Sequence, residues 1–395
     1  MSGSRIAVAV PVLAEEESLP RLMQLLGRQT WRDFEVFVCV NQPEGWWDDG
    51  VPQHAEACRE NSRMLQYLNA SDGAAADAGA VVHAIDRSSR GQAWEGKRKG
   101  VGWARKVLFE AALERCGEEV LIVSLDADTA VSDSYLASLH ALFAQVGASL
   151  QAVAVPYRHP LTGDEECDRA LLRYEVYMRH YLINLLRIGN PYAFSALGSA
   201  MAFTGKAYRR VGGITPLEGG EDFYLMQKFV KTGRIALRVP LEGGEASECV
   251  LPQGRPSWRV PFGTGPAVAR GVEAMAETYP FYSEESFEEV GRTYALFPAL
   301  YDGDAETPMS EFLRGQLRRD DLWGPLRRNF KRRAIFVHAC TELVDGLRIL
   351  QYLRSRGQGS ADVYGVDFAT DPIETLDALR QRLFATEMQL RRQHG

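Results

Sequence analysis

Within its first 41 residues the chain reads strand, helix, strand, and that order restricts the fold more than any other feature. The segment "RIAVAVPVLA" is an apolar run broken by Pro11, the pattern of a buried parallel strand and its exit loop. In "SLPRLMQLLGRQ", Ser18 stands where a helix would be capped and Pro20 in its first turn. Leu19, Leu22, Leu25 and Leu26 share one helical face, and Gly27 ends it. "DFEVFVCVN" is the second apolar run. A strand, a helix and a strand within about 40 residues make a βαβ unit.

The alternation continues. "PEGWWDDG" reads as loop, "AEACRENSRMLQYLNA" as helix and "SDGAAADAGA" as a flexible insertion. "AVVHAID" is a third strand, "GVGWARKVLFEAALERCG" a helix closed by Gly117, and "EEVLIVSLDAD" a fourth strand. The fold class expected is α/β, with a doubly wound, mostly parallel sheet. Ligands of such sheets bind outside the carboxyl ends of the strands. Residues 11–15, Asn41, Asp86 and the acids Asp126 and Asp128 all fall there.

Farther on, "SDSYLASLHALFAQ" reads as a capped helix and "LQAVAVPYR" as a strand. A long helix is expected through "TGDEECDRALLRYEVYMRHYLINLLRIG", opened by Thr162 and Glu165 as a capping box. "SALGSAMAFTGKAYRRVGG" reads as strand, turn and short helix. "GEDFYLMQKFVKTG" is a helix closed by Gly233, and "RIALRVP" a strand. From about residue 270 helical patterns dominate. In "DPIETLDALRQRLF", Asp371, Pro372 and Glu374 occupy the cap, first and third helical positions.

Composition removes several classes. At 395 residues, 46% hydrophobic and 25% charged, the chain reads as soluble and globular, too long for one ordinary core. A net charge of −7 argues against a molecule built to wrap nucleic acid. Its six cysteines are scattered with no CxxC pair, so structural zinc is not expected and a reducing, cytoplasmic compartment is. No run reaches the roughly 18 apolar residues of a membrane span. "IAVAVPVLA" is short and leads into three glutamates, which suits a buried strand better than a signal peptide.

Four stretches carry residues suited to chemistry. Asp126 and Asp128 lie two apart behind an apolar strand. Two extended residues at that spacing project to one side, so both carboxylates would face one ligand. Hard oxygen donors suit Mg²⁺ or Mn²⁺, which would in turn bind a diphosphate. The other reading is a cap for the next helix, although Ser132 and Asp133 stand closer for that. Glu221 and Asp222 follow two glycines at a helix start, either to complement the helix dipole or to supply a general base. In "GKRKGVGWARK", Lys97, Arg98, Lys99, Arg105 and Lys106 bracket glycines, as a phosphate cradle or a solvated basic turn. No G-K-[ST] closes it. In "RPSWRVPFGTGP", Arg255 and Arg259 flank Trp258, either as a structural loop or as diphosphate ligands.

Taken in order, these pieces resemble a family 2 glycosyltransferase of the GT-A fold. "VAVPVLAEEESLPRLMQLLGRQTWRDFEVFVCVN" resembles the family's opening, "KGVGWAR" its G-x-x-x-A-R helix start and "LDAD" its D-x-D. "GSAMAFTGKAYRRVGGITPLEGGEDFYLMQKFVKTG" resembles its acceptor-side segment with the E-D helix. The resemblance covers about residues 5–265. It implies a GT-A domain over 1–270, with a nucleotide-sugar-binding half at 1–130 and an acceptor half at 131–270. A mainly helical region over 271–395 lies outside it.

What the resemblance implies is inverting transfer of a sugar from a nucleotide-diphosphate donor to an acceptor hydroxyl, aided by Mn²⁺ or Mg²⁺. It assigns base recognition to Pro11, Val12, Glu15 and Asn41, the metal to Asp128 with Asp126 near the ribose or metal, and the base to Asp222 beside Glu221. Leu13 and Ala14 replace the usual Tyr-Asn, and Asn41 stands where Asp is common, so the nucleotide base stays open. Q-x-x-R-W is absent, and no histidine lies between His180 and His338 to serve as a late metal ligand. A processive polymer synthase is therefore not expected.

Eight basic and three acidic residues lie between 311 and 333. They form either a solvated face or a contact with anionic lipid at the inner face of a membrane, where a lipid-linked acceptor would also sit. Two rival readings differ in class. A nucleotidyltransferase would open with a glycine-rich loop, where "PVLAEEE" stands instead. A non-catalytic nucleotide-sugar-binding protein would keep the donor site without needing Asp222.

Overall fold

Seven strands form the central sheet of the computed structural model, which describes residues 5–240, 249–259, 261, 263–357 and 363–394. In chain order the strands are β1 (Ile6–Val12), β2 (Phe34–Asn41), β3 (Val81–Arg87), β4 (Leu121–Ser124), β5 (Thr129–Ala130), β6 (Leu150–Ala154), β7 (Met201–Thr204), β8 (Arg234–Ala236) and β9 (Leu251–Pro252). The sheet order is β3-β2-β1-β4-β7-β6-β8, and β5 pairs with β9 in a separate ribbon. Only β7 runs antiparallel to its neighbours β4 and β6. The fold is α/β with a mostly parallel, doubly wound sheet, as the alternation of elements led one to expect.

Burial explains the apolar runs. Every residue of β1 and of β2 is buried, because helices cover both faces of a parallel sheet. Their register sets Val8 beside Val36, Val10 beside Val38 and Val12 beside Val40. Edge strand β3 is only half-buried, and its sequence is correspondingly more mixed. Helix α1 (Ser18–Gly27) is followed by α2 (Pro52–Asn69), α3 (Ala74–Ala78) and α4 (Val101–Cys116). After these come α5 (Tyr135–Val146), α6 (Glu165–Arg187), α7 (Gly205–Arg210) and α8 (Glu221–Thr232).

Several local expectations are corrected. "SDGAAADAGA" is not a flexible insertion, because it contains α3, which packs on α1. A Cβ on Gly27 would stand 2.2 Å from the Asp77 carbonyl oxygen, and the Tyr67 hydroxyl donates to Asp77 at 2.6 Å. "PEGWWDDG" holds a 3₁₀ turn at Glu44–Trp47. Ser18 is not the cap but the first residue of α1, and Glu17, which holds the cap position, makes no side-chain bond there. Nor do Ser132 and Asp133 cap α5, which Ser134 precedes without a side-chain bond. Helix α6 opens on Asp164, whose carboxylate accepts from the Cys167 N–H at 2.8 Å. Asp168 takes the returning role expected of Glu165, accepting from the Thr162 N–H at 2.6 Å and its hydroxyl at 2.8 Å. A carboxylate one helical turn farther in reaches the same donors, and the spacing alone does not separate the two.

Two compact units divide the chain. One comprises residues up to 171 together with 195–269, and the other comprises 172–194 and 270–394. The sheet lies wholly in the first. The second is helical, and a buried ionic network runs through it. Arg179 pairs with Glu175 at 2.6 Å and with Glu387, and Arg391 meets Glu387 at 2.7 Å. Removing one member of such a network strands a buried charge and is strongly destabilising. Among the described residues no helix is long and apolar enough to cross a membrane.

Candidate functional site

Strand β4 ends at Ser124, and the Leu125 N–H still reaches the Ala9 carbonyl at 3.1 Å. The chain then turns, with the Thr129 N–H donating to the Asp126 carbonyl at 3.0 Å. Residues 127 and 128 belong to that turn, so the extended-strand argument for a shared side does not describe this backbone. Beyond the turn β5 pairs with β9, and the Gln253 N–H reaches the Asp128 carbonyl at 3.3 Å. That ribbon is what brings Arg255 and Arg259, more than 120 residues later in sequence, close to Asp128.

Arg105 joins the next two pieces. From the second turn of α4 its Nη2 lies 2.6 Å from Asp126 Oδ1, and its Nη1 donates to Glu221 Oε1. Arg105 is 4% exposed and Glu221 1%. Local sequence makes this possible. A Cβ on Gly102 would sit 2.2 Å from the Leu217 carbonyl, so only glycine lets α4 abut the loop before α8. A Cβ on Gly198 would stand 2.0 Å from the Arg105 guanidinium. Lys99 adds a salt bridge to Glu218 at 3.3 Å.

Burial sets the proton affinities here. It pushes the Glu221 carboxyl up to about 7, against the pull of Arg105 and with the help of Asp222. Asp222 is likewise raised, first by burial, while the Arg105 charge and the Phe223 N–H, which Oδ1 accepts at 2.7 Å, act the other way. Asp128 is pushed up to about 7 by burial and by the carboxylates of Glu15 and Asp126. Among the described residues its carboxylate accepts no hydrogen bond.

The opening loop forms the opposite wall. Glu15 is buried and takes salt bridges from both Arg255 and Arg259. Arg259 Nη1 also donates to the Leu13 carbonyl at 3.0 Å and the Ala14 carbonyl at 3.2 Å. Ala14 has φ +53°, unusual for a residue with a side chain, and its N–H is held by the Asn61 amide oxygen at 3.0 Å. Pro11 and Val12 are the last residues of β1. The Val12 carbonyl accepts from the Asn41 amide at 2.9 Å, while the Asn41 amide oxygen accepts from Trp94 Nε1 at 3.1 Å.

Glu15, Arg105, Asp126, Asp128, Glu221, Asp222, Arg255 and Arg259 are thus gathered at the carboxyl ends of β1 and β4. The rest of the basic run is dispersed. Arg98 lies over the Trp103 ring at 5.5 Å, Lys106 pairs with Glu110 at 2.5 Å, and Lys97 is exposed. Asp86 closes its own turn by accepting from the Ser88 and Ser89 N–H groups at 2.8 and 2.9 Å. Asn61, Gly198 and the Gly102–Leu217 contact were not singled out by sequence. An asparagine inside a helix and a glycine before a strand are their only signals.

Among the described residues no group of three His, Cys, Asp or Glu side chains has metal-binding geometry. A magnesium-like ion needs fewer. It keeps several waters and is held by one or two carboxylates plus substrate phosphates. Asp128, whose carboxylate accepts no hydrogen bond among the described residues and is crowded by two other acids, has the chemistry for that use, and Asp126 could give a second oxygen.

No family model matches the chain, and no curated protein matches it. Solved structures similar to it include S. aureus TarS 1–349 in complex with UDP-GlcNAc. That match is 13% identical over 90% of this chain and 92% of that one, with a TM-score of 0.42. The same TarS fragment with UDP matches at 12% identity over 89% and 92%, with a TM-score of 0.41. GalNAc-T7 with UDP, GalNAc and Mn²⁺ matches at 13% identity over 83% of this chain and 54% of that one, with a TM-score of 0.37. Likeness at that level leaves the reading to the residues themselves.

Proposed function

We propose that the protein is an inverting glycosyltransferase of GT-A type that takes a sugar from a nucleotide-diphosphate donor. The observation that carries this reading is the meeting of three segments at one strand end. The Asp126–Asp128 turn, the Glu221–Asp222 helix start and the arginines of residues 255–259 converge there, tied by Arg105 and Glu15. A diphosphate leaving group calls for cations, and an acceptor hydroxyl calls for a base. Both stand in that cluster, where the arginines are already paired with acids and a bound divalent cation would add the positive charge the diphosphate needs.

Asp128 and Asp126 would hold a divalent cation, Mn²⁺ or Mg²⁺, whose bound charge offsets that of the diphosphate. Asp222 takes the proton of the acceptor hydroxyl. The oxygen bonds to the anomeric carbon as the bond from that carbon to the diphosphate oxygen breaks, and the electron pair leaves with the nucleoside diphosphate. One displacement inverts the anomeric centre. Glu221, locked to Arg105, orients the start of α8, so its neighbour Asp222 is held in place.

Residues 1–270 form the transferase domain in this reading, and the acceptor is a glycan, a lipid-linked sugar or a small molecule. Within 311–333, Arg314, Arg327 and Arg333 are spent on Glu306, Asp304 and Asp302. Arg318, Arg319, Lys331 and Arg332 stay exposed and are offered to an anionic membrane face, which suits a cytoplasmic, peripheral enzyme. The test is release of nucleoside diphosphate from nucleotide sugars with Mn²⁺ present. Slow hydrolysis without acceptor supports the reading, and tight donor binding with no turnover under any condition favours a binding protein instead.

A further inference from the structure

Outside the acid cluster, three rings stand together on the same unit. Trp46 and His54 are stacked at 4.3 Å with an interplanar angle of 8°. Trp258 leans on both, 5.6 Å from Trp46 and 5.7 Å from His54, tilted by 47° and 42°. Trp258 is 48% exposed, one of few large apolar side chains left in water among the described residues. Its position is nevertheless fixed. Arg255 and Arg259 on either side of it are bound to Glu15, and Arg259 also holds the Leu13 and Ala14 carbonyls. His54 is fixed too, with Nδ1 2.6 Å from Asp49 Oδ2, and Asp49 in turn accepts from the Val51 N–H at 3.0 Å.

We infer that Trp46, His54 and Trp258 form a stacking platform for the nucleobase of the donor, with Trp258 presenting the open face. This rests on the donor reading above and deepens it. Two observations point to a base rather than to another apolar group. First, Trp258 is carried by the loop that clamps the opening loop, beside the strand ends where the diphosphate would lie, and Trp46 and His54 come from the turn and helix that follow β2. Second, the side chain at the end of β2 that the resemblance gives to the base edge is buried and turned into the fold. Both ends of the Asn41 amide are bonded within the fold, to Val12 and Trp94. With Asn41 only 4% exposed, the open ring face of Trp258 is what this surface offers a base. Stacking on indole is tolerant of sequence because every base has a π face. Recognition by face makes the protein bind purine diphosphates at least as tightly as pyrimidine diphosphates.

The test measures binding of ADP, UDP and inorganic pyrophosphate, each with Mn²⁺, by calorimetry and by quenching of tryptophan fluorescence. Trp258→Ala is expected to weaken ADP and UDP about five- to hundredfold, the worth of one base–aromatic stack. Pyrophosphate binding should be unchanged, and Trp258→Phe should recover most of the loss. Trp46→Ala should weaken both nucleotides as well. Unchanged ADP and UDP affinity in Trp258→Ala would overturn the platform while leaving the donor site standing. UDP bound far more tightly than ADP would also overturn it, because that requires an edge reading. An unmodified protein that binds none of the three ligands would bring down the donor reading itself.

Discussion

Arg105 Nη2 lies 2.6 Å from Asp126 Oδ1 while the same guanidinium donates to Glu221, so one side chain links the turn after β4 to the start of α8. Glu221 is fully buried and has no water to replace that guanidinium, whereas Asp126 is part-exposed. Arg105→Ala should therefore cost about 3–5 kcal/mol of stability, the usual result of stranding a buried charge. A milder probe is Gly198→Ala, whose methyl group would enter the space of the guanidinium. Overpacking of that kind costs about 1–3 kcal/mol. Denaturant unfolding of both variants checks these values, and both should also lower donor turnover by misplacing Asp126 and Asp222.

Asp222→Asn isolates the base. Asparagine keeps the size and an acceptor for the Phe223 N–H but no longer takes a proton. Transfer or donor hydrolysis should fall by about 10²–10⁴, with donor affinity and melting temperature nearly unchanged. Because burial raises the Asp222 carboxyl above the ordinary range, the base is protonated as pH falls through that raised value. Wild-type turnover should drop on the acid side at a pH above that of an ordinary aspartate, and the residual rate of the variant should lack this limb. If Asp222 served only to stabilise the helix start, the variant would turn over like the wild type, since asparagine does that as well as aspartate.

Asp128→Asn addresses the cation. Loss of one charged oxygen donor is worth about 1.5–3 kcal/mol, or roughly tenfold or more in affinity. Calorimetry with a nucleoside diphosphate should show that weakening with Mn²⁺ present and little difference in its absence. Equal affinities with the metal present would remove Asp128 from its coordination.

The exposed cations of residues 311–333 predict a salt-dependent surface interaction. Liposomes rich in anionic lipid should sediment the protein at low ionic strength and release it near 1 M salt, where the screening length is only about 3 Å. Changing Arg318, Arg319, Lys331 and Arg332 to Glu should abolish sedimentation without lowering the melting temperature. Arg314, Arg327 and Arg333, already paired with acids, should matter less.

The sequence by itself determined the sheet class and where its functional end lies. Buried parallel strands read as unbroken apolar runs, so β1, β2 and β4 are visible in composition alone, and a strand followed by acids marks its own carboxyl end. The tertiary structure decided what those residues do to one another. Arg105 in a basic turn and Arg255 in a glycine-rich loop both look like free phosphate ligands on paper. In the fold their charges are met by Asp126, Glu221 and Glu15, up to 240 residues away. The same holds for Asn41, whose buried amide is bonded to Val12 and Trp94, and for α3, an alanine-rich stretch given its place by contact with α1. Periodicity reports which face of an element avoids water. Pairing of charges and filling of amide bonds depend on which elements meet, and here a two-stranded ribbon and two close-packed glycines made those meetings.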